Sequence, residues 1–191
     1  MTASEVGPQV ELAPRLIERA RRGDEEAFAA LIRHYDSGLR ALAYRLLGDR
    51  SRMDDALQEA YVKAYRALPD FRGAARLGTW LYRIAYNACM DELRRGPQAT
   101  QVALADTAEP EDPAPGPPEQ VAFRQELSNA LAALSPADRA AVLLIDLQGF
   151  SYEEAGDVLG IATGTVASRL NRARAALRSS LGDRDRGAAG E

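Results

Sequence analysis

The sequence is poor in the side chains that bind metals or form covalent cross-links. Cys89 is the single cysteine and His34 the single histidine among 191 residues. One cysteine cannot form an internal disulfide, and this pair does not supply the ligands of a structural zinc site. The sequence therefore predicts neither a disulfide scaffold nor a metal centre. We expect Cys89 to be a small buried hydrophobe and His34 to lie on a helix surface.

Long apolar runs are missing as well. No stretch approaches the roughly 18–20 consecutive apolar residues that span a membrane as a helix. Residues 1–9 do not have the basic-then-apolar arrangement of a signal peptide. The sequence therefore predicts a cytoplasmic protein without membrane insertion.

Aromatic residues make up only 6% of the chain, and valine, isoleucine and threonine are sparse beside alanine, leucine and arginine. This composition favours helices over sheets, so we predict an all-α protein. The net charge of −4 argues, taken alone, against nucleic acid as a partner. Whole-chain charge says little, however, where opposite signs are segregated along the sequence.

The clearest boundary in the sequence is the stretch 96–120. It contains six prolines, five acidic residues and no lysine or arginine. Proline at this density breaks helices and strands, and little in the stretch can build a core. We predict a flexible, acidic, proline-rich linker between two small helical domains, 1–95 and 121–181. Residues 1–14 and 182–191 are expected to be flexible or disordered.

Helical signals dominate before the linker. Asp24 is a candidate N-cap, and Gly48 suits the end of the helix that follows. Ser51 and Asp54 have the spacing of a capping box for the next helix, which is expected to end at Pro69. Apolar residues recur between the first two signals at spacings of three and four: Phe28, Leu31, Ile32, Tyr35, Leu39, Leu42 and Leu46.

Shorter helices are predicted after the linker. They cover about 119–134, 136–148, 152–159 and 163–181. Ser135 is followed by a proline at the first helical position and an acid, Asp138, at the third, which together are a strong signal for a helix start. Ser151 and Glu154 form a second capping box, and Gly160 separates the last two helices. Two short helices around such a glycine are typical of a helix-turn-helix motif.

The last of these helices is strongly basic. Four arginines and no acidic residue lie between Ile161 and Arg178. The local charge of +4 meets the electrostatic demand of DNA, and Ser, Asn and Arg can read base edges or grip phosphates. The alternative is a solvated basic face on a core helix. The predicted contacts are Thr165, Ser168, Arg169, Asn171, Arg172 and Arg174.

Aromatic and arginine side chains interleave from Phe71 to Arg95, a stretch that contains five arginines and two acidic residues. A helix is predicted from about 79 to 95. Cations that follow phosphates beside flat rings that accept bases suit single-stranded DNA. The simpler interpretation is a core helix, with Trp80 among its apolar contacts. The helix that contains residues 54–65 carries an acidic and amide stripe, which by itself indicates only an ordinary amphipathic helix.

Motifs in both halves resemble those of extracytoplasmic-function (ECF) sigma factors, of the sigma-70 family. The second half has Phe150-Ser-Tyr-Glu-Glu154, Leu159-Gly-Ile161, Gly164-Thr-Val166 and Ser168-Arg-Leu170. The first has Asp54-Asp-Ala-Leu-Gln-Glu59, followed by the stretch from Phe71 to Arg95. Ala167, Ala162 and Ala155-Gly156 depart from the family's usual residues, and the change at Ala167 removes one expected contact to DNA.

The resemblance implies two sigma domains, domain 2 before the linker and helix-turn-helix domain 4 after it. The basic helix 163–181 would recognise the −35 promoter element. Domain 2 would bind core RNA polymerase through Asp54, Asp55, Leu57, Gln58, Glu59 and Val62. It would recognise and melt the −10 element through Arg72, Arg76, Thr79, Trp80, Tyr82, Arg83, Tyr86, Asn87, Arg94 and Arg95. The loop 72–78 would receive a base extruded from the duplex.

The resemblance also implies the partners. They are core RNA polymerase, promoter DNA and an anti-sigma factor, with no cofactor and no small-molecule substrate. A dimeric helix-turn-helix regulator that binds a palindrome without polymerase is the first alternative. A helical adaptor that binds no DNA is the second. An enzyme is disfavoured because the sequence has no nucleophile–base pair, metal cluster or glycine-rich phosphate loop.

Overall fold

The computed structural model describes residues 14–73, 75–96 and 118–182. The described residues form α-helices with short 3₁₀ and π segments and contain no β-strand, so the all-α prediction is confirmed. The helices are α1 (Pro14–Arg21), α2 (Glu25–Leu47), α3 (Arg50–Ala67), α4 (Leu77–Arg95), α5 (Pro118–Ala133), α6 (Pro136–Val142), α7 (Tyr152–Leu159) and α8 (Thr163–Gly182). Within these ranges, no helix is both long enough and apolar enough to cross a membrane.

Helix α2 begins and ends where the sequence predicts. The Asp24 carboxylate accepts a hydrogen bond from the backbone N–H of Ala27 at 2.9 Å. At the other end, Gly48 has a φ of 70° and donates its N–H to the carbonyl of Tyr44 at 2.8 Å. Glycine adopts this left-handed conformation at little cost, so the helix stops there.

The start of α3 differs from the prediction. Its N-cap is Asp49, whose carboxylate accepts a hydrogen bond from the N–H of Arg52 at 2.8 Å. Ser51 already lies inside the first turn. The reason is local: Gly48 turns the chain sharply, so the next residue is extended and ready to cap the following helix. Helix α1, for which the sequence analysis made no prediction, packs on α2 and is tied to Pro69 by a hydrogen bond from Arg21.

The helix starts of the second half are confirmed, with one boundary corrected. Ser135 caps α6 by accepting from the N–H of Asp138, and the Ser151–Glu154 capping box is complete in both directions. Gly160 has a φ of 66° and ends α7. Helix α5, however, begins at Pro118, inside the stretch predicted as linker. Proline is favourable at a first helical position because its missing N–H has no partner to lose there. Residues 97–117 of the predicted linker lie outside the described residues, as do 1–13 and 183–191.

A leucine-rich core fills each half of the molecule. Leu31, Leu39, Leu42, Leu46 and Met53 are fully buried in the first half, and Leu143, Leu144, Val158, Val166 and Leu170 in the second. Cys89 is also buried, as predicted, and burial raises the pKa of its thiol to about 12. The two halves contact each other directly, chiefly where α4 packs against α7. The linked domains predicted from the sequence are therefore docked in this structure.

Candidate nucleic-acid and polymerase interfaces

Helices α7 and α8 form the predicted helix-turn-helix. Their close approach depends on Gly156, because a Cβ at this position would lie 2.9 Å from the carbonyl oxygen of Ile161. The N–H of Ile161 donates to the Gly156 carbonyl at 3.0 Å, which fixes the turn. Val166 and Leu170 hold α8 to the core with 0% exposure. The opposite side of α8 is thereby turned to solvent.

Small polar side chains occupy the exposed side of α8. Thr165, Ser168 and Asn171 are all exposed. The Ser168 hydroxyl donates to the Thr165 carbonyl at 2.9 Å, which leaves its oxygen lone pairs directed away from the helix backbone. Three of the six residues predicted to contact the −35 element thus share an accessible face near the start of the helix, where such motifs enter the major groove.

Two of the three predicted arginines of α8 are paired with acidic residues of the same half. Arg172 donates to Asp138 at 3.0 Å, and Arg174 holds Asp146 through two of its nitrogens. Partial burial acts to raise the pKa of Asp138, but the hydrogen bonds with Arg172 and Ser135 and the nearby positive charges together outweigh it, and the pKa lies below its ordinary value. Arg169 is half-buried. The acids of the second half therefore orient two of the arginines predicted to reach phosphates.

Helix α4 has one exposed and one buried side. Arg72, which precedes the helix, and Arg83, Asn87 and Arg94 on it are exposed, in keeping with their predicted contact to DNA. Arg94 pairs with Asp91 one turn earlier. Arg95 pairs with Glu59 of α3 at 3.0 Å, so the end of α4 is tied to the predicted polymerase-binding helix.

The other predicted −10 contacts on α4 are not accessible in this structure. Thr79, Tyr82 and Tyr86 are buried, with 2%, 2% and 7% exposure. Trp80 is half-buried against Phe71, with ring centroids 5.2 Å apart. The Tyr82 hydroxyl donates to the side-chain oxygen of Gln148 at 3.0 Å. The expectation that Tyr82 faces DNA therefore differs from the observed arrangement, because Gln148 and Phe150 of the second half cover it.

The predicted polymerase-binding residues lie on α3, and most are exposed. Asp55, Gln58 and Val62 face solvent, with 44% of Val62 accessible. Asp54 pairs with Arg40 of α2 at 2.8 Å. Leu57 departs from the prediction: it is 1% exposed and belongs to the core. Leu57 lies four residues after Met53 and three before Ala60, both buried, so it is on the inward side of α3 and cannot itself contact a partner in this state.

Glu59 is the electrostatic centre of the α3–α4 contact. Its carboxylate accepts from Arg95 at 3.0 Å and lies 2.8 Å from the Lys63 ammonium. Hydrogen bonds from these two cations lower the pKa of Glu59 to about 2. The residue is therefore ionised at neutral pH and is held by its own chain.

Sequence reasoning missed the residues that join the two halves. They are Gly38 on α2, Arg139 on α6, and Gln148, which follows a π-helical segment spanning Leu143–Leu147. Phe150 was part of a quoted motif, but its contact with the Tyr82 ring, at a centroid distance of 4.9 Å, was not foreseen. No spacing pattern marks these residues, because each finds its partner in the other half of the chain.

Two family models match the chain, one in each half. The family described as Sigma-70 region 2 matches residues 31–97, and Sigma-70, region 4 matches residues 124–177. The chain is 39% identical over 160 residues to the ECF RNA polymerase sigma factor SigM of Mycobacterium tuberculosis, covering 84% of this chain and 80% of the relative. It is 36% identical over 175 residues to the ECF RNA polymerase sigma-E factor of Escherichia coli, covering 85% and 90%.

Two solved structures are similar over most of the chain. One is CnrH in complex with the cytosolic domain of CnrY, with a TM-score of 0.68, 27% identity and coverage of 90% of this chain and 97% of that chain. The other is the sigma factor RpoE in complex with the anti-sigma factor NepR from Bartonella quintana, with a TM-score of 0.58, 32% identity and coverage of 75% and 89%. In both structures, the protein that is similar to this chain is bound to a second protein.

Proposed function

Because this chain belongs to the ECF sigma factors of the sigma-70 family, which direct core RNA polymerase to promoters, we propose a separate role for each of its three surfaces. The exposed side of α3 binds core polymerase, α4 and the residues before it engage the −10 element, and α8 reads the −35 element. The whole assignment depends most on one observation. Each of the three helices carries exposed polar or charged residues at the predicted positions, on a side that the core leaves free.

The polymerase-binding surface consists of Asp55, Gln58 and Val62. An apolar side chain flanked by an acid and an amide is suited to a protein partner with a polar rim. Asp54 and Glu59 lie at the edges of this surface, where their carboxylates are paired with Arg40 and Arg95 of the same chain. Leu57 supports the surface from below.

The promoter-binding surfaces use two different modes of recognition. On α8, Thr165, Ser168 and Asn171 are placed to read base edges in the major groove, while the neighbouring arginines contact phosphates. Before and along α4, arginines and flat rings suit single-stranded DNA, to which stacking and charge both contribute. DNA melting is then driven by binding free energy, and this chain contributes no catalytic step of its own.

We further propose a partner that holds the protein inactive in the cytoplasm, where core polymerase works. Support comes from similar proteins captured with a second chain, the cytosolic domain of CnrY in one case and the anti-sigma factor NepR in the other.

Run-off transcription tests the function directly. Genomic promoter fragments are transcribed by core RNA polymerase with and without this protein. Specific transcripts that require the protein are expected, and their start sites would define both promoter elements. If polymerase is never redirected, and the protein alone shifts a palindromic duplex, the chain acts as a dimeric helix-turn-helix regulator instead.

A further inference from the structure

A buried polar cluster joins the two halves of the molecule. We call it the Tyr82 cluster, and it comprises Gly38, Tyr82, Gln148 and Phe150. Gln148 accepts from the Tyr82 hydroxyl at 3.0 Å and donates its side-chain amide to the Gly38 carbonyl at 3.3 Å. The Phe150 ring packs against the Tyr82 ring edge to face. A 7%-exposed glutamine with both ends of its amide occupied indicates a specific contact, since unpaired buried amides are costly.

Gly38 makes room for this cluster. A Cβ at this position would lie 2.0 Å from the Tyr82 hydroxyl oxygen and 3.0 Å from the side-chain oxygen of Gln148. Gly38 lies in the interior of α2, where alanine is ordinarily the more favourable residue. The space above Gly38 is therefore occupied by the contact between the two halves.

Two further contacts lie at the edges of the same interface. Arg139 of α6 donates to the carbonyls of Arg45 and Leu46 at the end of α2, both at 3.1 Å. Arg76, just before α4, donates to Glu154 of α7 at 3.3 Å. A cation at the carbonyl end of a helix is favourable because the helix dipole is negative there. The interface is thus held at its centre and on two sides.

The docked arrangement covers residues that the proposed function assigns to DNA. Tyr82 of α4 lies against Gln148 and Phe150 of the second half and is 2% exposed. Arg76 is paired with Glu154 of α7. One interface therefore occupies two of the predicted contacts to the −10 element.

We propose that the helix-turn-helix half docks on α4 as an autoinhibitory contact, and that the Tyr82 cluster is its lock. The inference rests on the proposed assignment of α4 to the −10 element. In the docked form Tyr82 contacts Gln148 and Phe150 in place of bases. Binding of the −10 element to Tyr82 then requires the two halves to separate, and the apparent affinity for this element is reduced by the fraction of molecules that are open.

The test opens the lock without altering any residue assigned to polymerase or DNA. Gln148→Ala removes both hydrogen bonds of the amide, and Gly38→Ala places a methyl group where the Tyr82 hydroxyl lies. Ser37→Ala is the matched control, an exposed residue one position along α2. Losing two buried hydrogen bonds is expected to shift the equilibrium toward the open form by roughly tenfold.

Two readouts are applied to the full-length chain. The distance between spin labels on Arg66→Cys and Ser180→Cys, one in each half, and the radius of gyration from X-ray scattering report separation. Fluorescence polarisation reports affinity for a labelled single-stranded oligonucleotide with the −10 sequence found by run-off transcription. We expect Gln148→Ala and Gly38→Ala to lengthen the distance, enlarge the radius and tighten oligonucleotide binding several-fold, with Ser37→Ala unchanged. Unchanged distances in both variants, or separation without tighter binding, would overturn the proposal.

A double variant gives an independent check. Tyr82→Phe removes the atom that Gly38→Ala strikes, so the pair should be more compact than Gly38→Ala alone. A pair as extended as the single variant would show that Gly38 does not act through Tyr82. The two proposals fail differently: if wild-type protein yields no specific transcripts, the proposed function fails, whereas the label distances still report whether the halves dock.

Discussion

Single residues decide two contacts of the molecule by their size or charge. Gly156 lets α7 approach the turn that leads to α8, because any side chain there would meet the Ile161 carbonyl. Glu59 joins α3 to α4 because two cations converge on its carboxylate. Each of these contacts can therefore be tested by a single substitution of its own.

Gly156→Ala should destabilise the helix-turn-helix half. The new Cβ would lie 2.9 Å from a backbone oxygen, which cannot move without displacing the turn. Crowding of this kind costs about 1–3 kcal/mol in the free energy of unfolding, despite the better helix propensity of alanine. Urea denaturation followed by circular dichroism measures the change. Gly164→Ala is the control, because a Cβ there meets nothing within 4 Å; equal stability of the two variants would contradict the prediction.

Glu59→Gln should make stability less sensitive to acid. The pKa of Glu59 is lowered to about 2 by its hydrogen bonds with Arg95 and Lys63, from an ordinary value of 4.5. A lowered pKa contributes stability above pH 4.5, and this contribution is lost as the pH falls toward 2. The wild type should therefore lose more stability than the variant between pH 5 and pH 3, as measured by urea midpoints. Asp157→Asn, at an exposed site on α7, serves as control; parallel pH profiles for wild type and Glu59→Gln would refute the assignment.

At the scale of the helix, local chemistry made the boundaries predictable. Asp24, Ser135 and Ser151 each cap a helix as expected, since the cap and its N–H partner are only three residues apart. Asp49 was missed because Ser51 offered a competing pattern, and only the conformation at Gly48 decides between them. Helical spacing also separated the buried from the exposed side of α8, whereas on α3 the buried Leu57 was wrongly included among the exposed contacts.

Gln58→Ala should weaken binding to core polymerase by about three- to tenfold, the loss of a contact worth roughly 1 kcal/mol. Gln58 is exposed on α3, so the substitution should leave stability unchanged. Fluorescence polarisation with labelled protein measures the affinity. Ser51→Ala, an exposed polar residue in the first turn of the same helix, is the matched control. If both variants bind like wild type, the exposed side of α3 is not the polymerase surface.

For the whole molecule, the sequence predicts two helical domains but not how they meet. Tyr82 was assigned to DNA from its motif, and Gln148 had no assigned role, yet they are hydrogen-bonded to each other. Helical periodicity describes which side of a helix is apolar, but it carries no information about which distant element covers that side. The contact depends on shape at Gly38 and on the reach of individual side chains. Such features emerge only when both halves are folded.

Arg139 of α6 contacts the first half of the molecule directly, and its loss should lower the stability of the whole molecule. Its guanidinium donates to two carbonyls at the end of α2 and to those of Ala132 and Leu134 at the end of α5. Arg139→Ala leaves four carbonyls without this donor, so the free energy of unfolding should fall by about 2–4 kcal/mol. Label distances between the halves should also lengthen, because α2 belongs to the first half.

Urea denaturation of the full chain measures this loss, with Arg178→Ala, at an exposed site on α8, as control. Arg139→Lys separates charge from geometry, since one ammonium cannot reach carbonyls on both helix ends as the planar guanidinium does. We expect the lysine variant to recover less than half of the lost stability. If Arg139→Ala weakens only the second half while the label distance stays that of the wild type, then Arg139 stabilises the α5–α6 turn alone, and docking depends on the Tyr82 cluster without it.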